Sequence, residues 1–62
     1  MTLLIFRTAD HRAVLFGKLD NRAFRIYPLI SPFYAPLDEI TDLANRIQLE
    51  LNLCLTIETA DA

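Results

Sequence analysis

The sequence predicts a small α+β domain in which one helix covers one face of a four-stranded sheet. Residues 1–27 contain three segments rich in aliphatic and aromatic residues, separated by short polar turns. All three prolines lie in residues 28–36, and an amphipathic helical pattern follows over residues 37–51. A chain of 62 residues has room for one domain, and we expect residues 1–62 to form it.

The first three strands are predicted at residues 2–8, 12–19 and 22–27. Each segment is rich in the β-branched, aliphatic and aromatic residues that suit a pleated sheet. Asp20 and Asn21 favour a two-residue hairpin turn, because both tolerate the positive φ that such a turn needs at its two centres. Gly17 indicates a bulge or a close backbone approach within the second strand. The three strands should therefore form an antiparallel meander.

A helix is predicted over residues 37–51, after the proline-rich loop 28–36. Pro36 suits the first helical position, since a proline there loses no helical hydrogen bond. Asn52 is a plausible C-terminal stop. Alternation over residues 53–58 then predicts the fourth strand. The helix prediction depends on apolar residues at spacings of three and four: Leu37, Ile40, Leu43, Ala44, Ile47 and Leu51.

The predicted element order is β-β-β-α-β. A helix between the third and fourth strands returns the chain so that the fourth strand runs parallel to the first and third. We expect the fourth strand beside the first, which gives the spatial order 4-1-2-3 with the helix on one face of the sheet.

The sheet has apolar residues on both of its faces, and a single helix can cover only one of them. We expect the second face to need another layer, supplied by a homodimer through the sheet face or a strand edge, or by another protein. Val14 and Phe16 are the candidate contact residues on that face. The alternative is that the loop 28–36 folds back over it.

The loop provides a second candidate contact surface at Phe33 and Tyr34. Prolines on both sides restrict the loop, so that presenting these two rings to a partner loses little conformational entropy. The alternative is that the rings pack against the first turn of the helix. A mixed outcome, with one ring packed and the other exposed, is also consistent with the sequence.

The sequence gives little reason to expect an enzyme. Asp10 and His11 are adjacent in a turn, where neighbouring side chains rarely converge on one site. Cys54 is expected to be a small core or interface residue with a free thiol. A single glycine excludes a phosphate-cradling loop, and one His with one Cys cannot form a conventional structural zinc site. We expect no catalytic residue, no metal and no cofactor.

Charge is distributed unevenly along the chain. Residues 1–35 carry a net charge of +3 and residues 36–62 a net charge of −5, which together give −2. Basic residues near aromatic ones on a sheet are typical of single-stranded nucleic-acid binding, but a pI near 5.0 opposes it. The alternative of a nucleic-acid-binding regulator depends on four residues: Arg12, Lys18, Arg22 and Arg25.

We therefore expect a non-enzymatic protein-interaction module, a homodimer that acts as an adaptor or inhibitor. Small chains of this kind are often products of phages or mobile elements. An acidic helix face with Asp38, Asp42 and Glu50 could address a basic partner surface. The longest apolar run near the start has four residues, too few for a membrane span or a signal peptide. The expected location is the cytoplasm.

Overall fold

The computed structural model describes residues 1–51 and 55–61. The strands form one sheet in the order β3-β2-β1-β5, and β4 pairs with β2. The predicted α+β class and the position of the last strand beside the first are confirmed. The elements are β1 (Thr2–Arg7), β2 (Arg12–Leu19), β3 (Arg22–Tyr27), β4 (Ala35–Pro36), α1 (Leu37–Leu51) and β5 (Thr56–Asp61).

The last strand runs further along the chain than its predicted bounds of 53–58. β5 pairs in parallel with β1, from Thr56 opposite Thr2 to Asp61 opposite Arg7. The Arg7 Nε to Asp61 Oδ1 distance is 2.8 Å, so a salt bridge joins the two strand ends. Pairing with β1 sets the bounds of β5, whereas the apolar alternation that predicted them ends earlier. Residues 52–54, with the predicted helix stop Asn52 and with Cys54, lie outside the described residues.

A short strand, β4, lies inside the segment that the sequence predicts as a loop. β3 pairs with β2 only as far as Leu15, and β4 then pairs with the same edge of β2 through Ala35 opposite Ala13. Pro36 fits here because an edge position does not require its missing N–H. The helix begins at Leu37, so Pro36 lies just before the helix rather than at its first position.

The core lies between the sheet and α1. Leu3, Leu15 and Ile40 are its largest fully buried side chains. Burial of each contributes about 1.5 to 3 kcal/mol relative to exposure. The predicted apolar stripe of the helix is confirmed through Ile47, but Leu51 in the last turn is 55% exposed. Together the buried members of this core are Leu3, Ile5, Ala13, Leu15, Ala35, Ile40 and Ala44.

The β2–β3 hairpin departs from regular geometry at two points. Of its two turn residues only Asp20 has a positive φ, of 56°, whereas a positive φ was predicted for Asn21 as well. Further along, the register shifts so that Phe16 faces Arg25 and Leu15 faces Tyr27, which leaves Ile26 as the extra residue of a bulge. Strict alternation along residues 22–27 predicts Phe24 and Ile26 on one side of the sheet and Ala23 and Tyr27 on the other. Because of the bulge Tyr27 lies on the α1 side, so this part of the prediction is wrong.

Gly17 is required by a neighbouring aromatic ring. Phe24 lies opposite Gly17 in the β2–β3 pair, and a Cβ at position 17 would come within 2.5 Å of the Phe24 Cζ atom. The Phe24 ring therefore occupies the space that a side chain at residue 17 would fill. This is the close approach that a glycine inside a strand indicates.

Gly17→Ala should lower the free energy of unfolding by about 1 kcal/mol, because the added Cβ displaces the Phe24 ring. Phe24 is 45% exposed, so the ring can move and the loss stays small. Urea unfolding of a double-mutant cycle with Phe24→Leu checks this, since Gly17→Ala should be neutral or stabilising in the Phe24→Leu background. Equal losses in both backgrounds would contradict the assignment.

Candidate functional site

The sheet face opposite α1, which we call the open face, is apolar. Leu4 lies opposite Phe16 and Phe6 lies opposite Val14 in the β1–β2 pair, while their neighbours along the strands point to the α1 side. Val14 has no exposed surface, whereas Leu4, Phe6 and Phe16 are half-buried. Val14, predicted as a contact residue, therefore lies beneath the surface, and Phe16 remains partly accessible.

A groove crosses the open face and has a volume of about 280 Å³. Tyr34, from the segment just before β4, forms one of its walls and is half-buried. The proline-rich loop thus reaches the open face through Tyr34 but leaves the groove itself open. The walls of the groove are Leu4, Phe6, Phe16, Ala23 and Tyr34.

Arg25 holds the proline-rich loop against the open face. Its Cζ atom lies 6.0 Å from the centre of the Phe16 ring and 5.9 Å from the centre of the Tyr34 ring. These distances are within the range of cation–π attraction. Arg25 Nε donates a hydrogen bond to the carbonyl of Pro28, and Nη2 donates one to the carbonyl of Phe33. One side chain therefore fixes both ends of the segment 28–33.

The segment between these two anchors exposes three large apolar residues. The Phe33 N–H donates to the Ile30 carbonyl at 3.0 Å, which closes a tight turn. Leu29 is 75% exposed, Ile30 67% and Phe33 64%. We call these three residues the loop apex. Of the two predicted contact rings, Tyr34 packs on the sheet and Phe33 is exposed, which is the mixed outcome.

The sequence analysis did not select Leu29 and Ile30 as contact residues. The signal available in the sequence was their position between Pro28 and Pro32. Apolar residues flanked by prolines cannot take part in a regular central strand or helix, so they lack the usual route to burial. Their exposure follows from that constraint and from the anchoring of the neighbouring carbonyls by Arg25.

The basic residues of the nucleic-acid alternative do not form one surface. Alternation along the third strand predicts Arg22 and Arg25 on opposite faces, and this is confirmed: Arg12, Lys18 and Arg25 share the open face, whereas Arg22 lies opposite Leu19 on the α1 side. Arg12 Nη1 donates to the Tyr34 carbonyl at 3.2 Å. Lys18 Nζ lies 3.9 Å from Glu58 Oε2. The three basic residues on the open face thus have partners within the chain.

Asp10 and His11 do not converge on one site. The Thr8 hydroxyl donates a hydrogen bond to the Asp10 carboxylate and holds the pKa of Asp10 below its ordinary value. His11 is exposed with a φ of 61°, and it lines a cleft at the end of the β1–β2 hairpin that Asp10 does not line. Within residues 1–51 and 55–61, His, Cys, Asp and Glu form no group of three that could hold a metal ion.

Comparison of the chain with protein-family models, with curated proteins and with solved structures gives no match. Across the described part of the chain, the structure contains no helix that is both long and apolar enough to span a membrane.

Arg25→Lys should lower the free energy of unfolding by about 1 to 2 kcal/mol. A lysine keeps the charge but cannot bridge the Pro28 and Phe33 carbonyls while lying over two rings. Amide hydrogen exchange should also become faster at Phe33, whose N–H closes the loop turn. Arg22→Lys, on the same strand but the opposite face, is the matched control and should change stability by less than about 0.5 kcal/mol. Equal effects of the two variants would contradict the role of Arg25.

Proposed function

We propose that this chain is a non-enzymatic protein-interaction module that forms a homodimer and acts as an adaptor or inhibitor by binding another protein. The observation that carries the proposal is the loop apex, which exposes three large apolar side chains beside an apolar groove. Contiguous exposed apolar surface of this kind is typical of protein contact sites.

The size of the loop apex supports a role in binding a protein but limits the strength of that binding. At roughly 200 Å² per large side chain, the exposed fractions of Leu29, Ile30 and Phe33 leave about 400 Å² of apolar surface. Burial of this area contributes about 10 kcal/mol at ~25 cal/mol per Å². The loss of translational and rotational freedom on association opposes this contribution with about 4 to 15 kcal/mol. The apex alone therefore supports weak binding, and stable association needs further surface such as the groove.

The loop apex is held in place before it meets a partner. Arg25 anchors the carbonyls of Pro28 and Phe33, and Pro28 and Pro32 restrict the backbone between them. A contact surface that is already ordered loses less conformational entropy when it binds. This arrangement favours a dedicated binding element over a loop that is merely unpacked.

The α1 side of the molecule is the surface that we assign to the second protein. Its acidic residues Asp38, Glu39 and Asp42 are exposed and, with Tyr27 and Arg46, line a groove of about 650 Å³. Among the described residues, the ion pairs do not involve these three acids. A partner with a basic surface fits this side of the molecule. A sequence with a single cysteine cannot form a disulfide within itself, which favours a reducing compartment such as the cytoplasm.

Nucleic-acid binding is the second candidate, favoured by Arg12, Lys18 and Arg25 beside the aromatic rings of the open face. It requires affinity for a single-stranded oligonucleotide that falls steeply between 50 and 200 mM salt. It also requires that affinity to be lost when Arg12, Lys18 and Arg25 are replaced together by Ala. The in-chain partners of these residues make the protein-interaction proposal the stronger one.

The mass in solution tests the homodimer directly. Light scattering across a hundredfold dilution should give about twice 7.1 kDa at the concentrated end, because the apolar surface of the loop apex and groove favours association. A mass of 7.1 kDa at every concentration would contradict the homodimer. In that case the exposed apolar surface would be left for a different protein.

A further inference from the structure

The open face holds an apolar groove and an apolar projection side by side. Tyr34 is a wall of the groove, and the guanidinium of Arg25 lies 5.9 Å from its ring while also binding the backbone of Phe33. The loop apex therefore lies at the margin of the same face that carries the groove. Leu29 and Ile30 project from the turn that Phe33 closes.

The chain cannot fill its own groove with its own loop apex in this structure. Arg25 anchors the carbonyls of Pro28 and Phe33 at the groove margin, and Phe33 is 64% exposed. Each molecule thus has one unfilled apolar recess and one unburied apolar projection. An apolar cavity of about 150 Å³ accommodates a benzene molecule, so the groove of about 280 Å³ has room for the Phe33 ring.

We infer that a second copy of this chain fills the groove, with each copy inserting its loop apex, led by Phe33, into the groove of the other. This inference rests on the proposed function, in that it names the surface through which the homodimer forms. A two-fold axis turns one projection and one recess into two identical contacts and closes the assembly. A one-way contact between the same surfaces would leave a free projection and a free recess at the ends.

The apolar area of the open face reaches the lower limit for a specific interface. The loop apex and the walls of the groove together give roughly 500 Å² per copy, or about 1,000 Å² for two copies, which is the size of a weak dimer interface rather than of a standard one. The basic side chains of this face have partners within their own chain: Lys18 has Glu58 and Arg12 has the Tyr34 carbonyl. The contact between copies therefore depends on the apolar surface, because hydrogen bonds to neutral carbonyls leave the positive charges of Arg12 and Arg25 in place.

Two substitutions at exposed positions test the loop apex and the groove separately. Phe33→Asp places a charge on the loop apex, and Ala23→Trp fills the groove from the exposed Ala23 on the edge strand β3. Each variant should have a mass near 7.1 kDa at concentrations where the unmodified chain is a dimer. We expect the dissociation constant to rise by at least roughly 30-fold, as for a central contact residue.

Matched controls carry the same substitutions at other exposed positions. Leu49→Asp changes a leucine on α1 that is 80% exposed, and Ala9→Trp changes an exposed alanine in the β1–β2 turn. Both should remain dimers. Circular dichroism and thermal unfolding check that all four variants keep the fold. Should Ala23→Trp prove unfolded, Ala23→Leu fills the same groove with a smaller side chain.

An equimolar mixture of Phe33→Asp and Ala23→Trp is the decisive measurement. In the mixed dimer an intact Phe33 meets an intact groove at one of the two contacts, so native mass spectrometry should detect a heterodimer although neither variant dimerises alone. Absence of that heterodimer would overturn reciprocal insertion. If both variants stay dimeric, this surface is wrong while the proposed homodimer stands. If the unmodified chain is monomeric at all concentrations, this inference and the homodimer both fail.

Discussion

Arg25 connects the proline-rich loop to the sheet, and the exposure of the loop apex depends on this one side chain. Its guanidinium lies over the rings of Phe16 and Tyr34 and binds the carbonyls of Pro28 and Phe33. The loop segment between those carbonyls cannot relax onto the sheet while they are anchored. As a result the loop covers the open face through the Tyr34 ring, and its apolar residues Leu29, Ile30 and Phe33 stay exposed.

The open face is exposed because α1 packs on the other side of the sheet. α1 covers one face of the sheet, where Leu3, Leu15 and Ile40 are fully buried. Within residues 1–51 and 55–61 no second helix lies over the opposite face. In the proposed homodimer a second copy would supply the missing layer and would bury the loop apex and the groove in the same step. The acidic α1 side then remains available to a different protein.

The order of β1, β2, β3, α1 and β5 could be predicted from the sequence, because alternation and helical spacing report burial directly, whereas β4 has only two residues and is too short to show alternation. The predicted bounds of β2, β3 and α1 agree with the structure. Two features could not be predicted, because both depend on pairing between strands. They are the bulge that turns Tyr27 to the α1 side and the later register of β5. The role of Arg25 could not be predicted from the sequence either. Its partners are backbone carbonyls, which leave no pattern in a sequence, and it resembled a phosphate-binding residue instead.

The most direct test of the account is a nuclear Overhauser measurement on a sample that mixes isotope-labelled and unlabelled chains. Only protons of different copies contribute to the filtered spectrum. The account predicts contacts from the ring protons of Phe33 in one copy to the methyl groups of Leu4 in the other. A dimer whose intermolecular contacts instead involve β5 or α1, with none to Phe33, would contradict it.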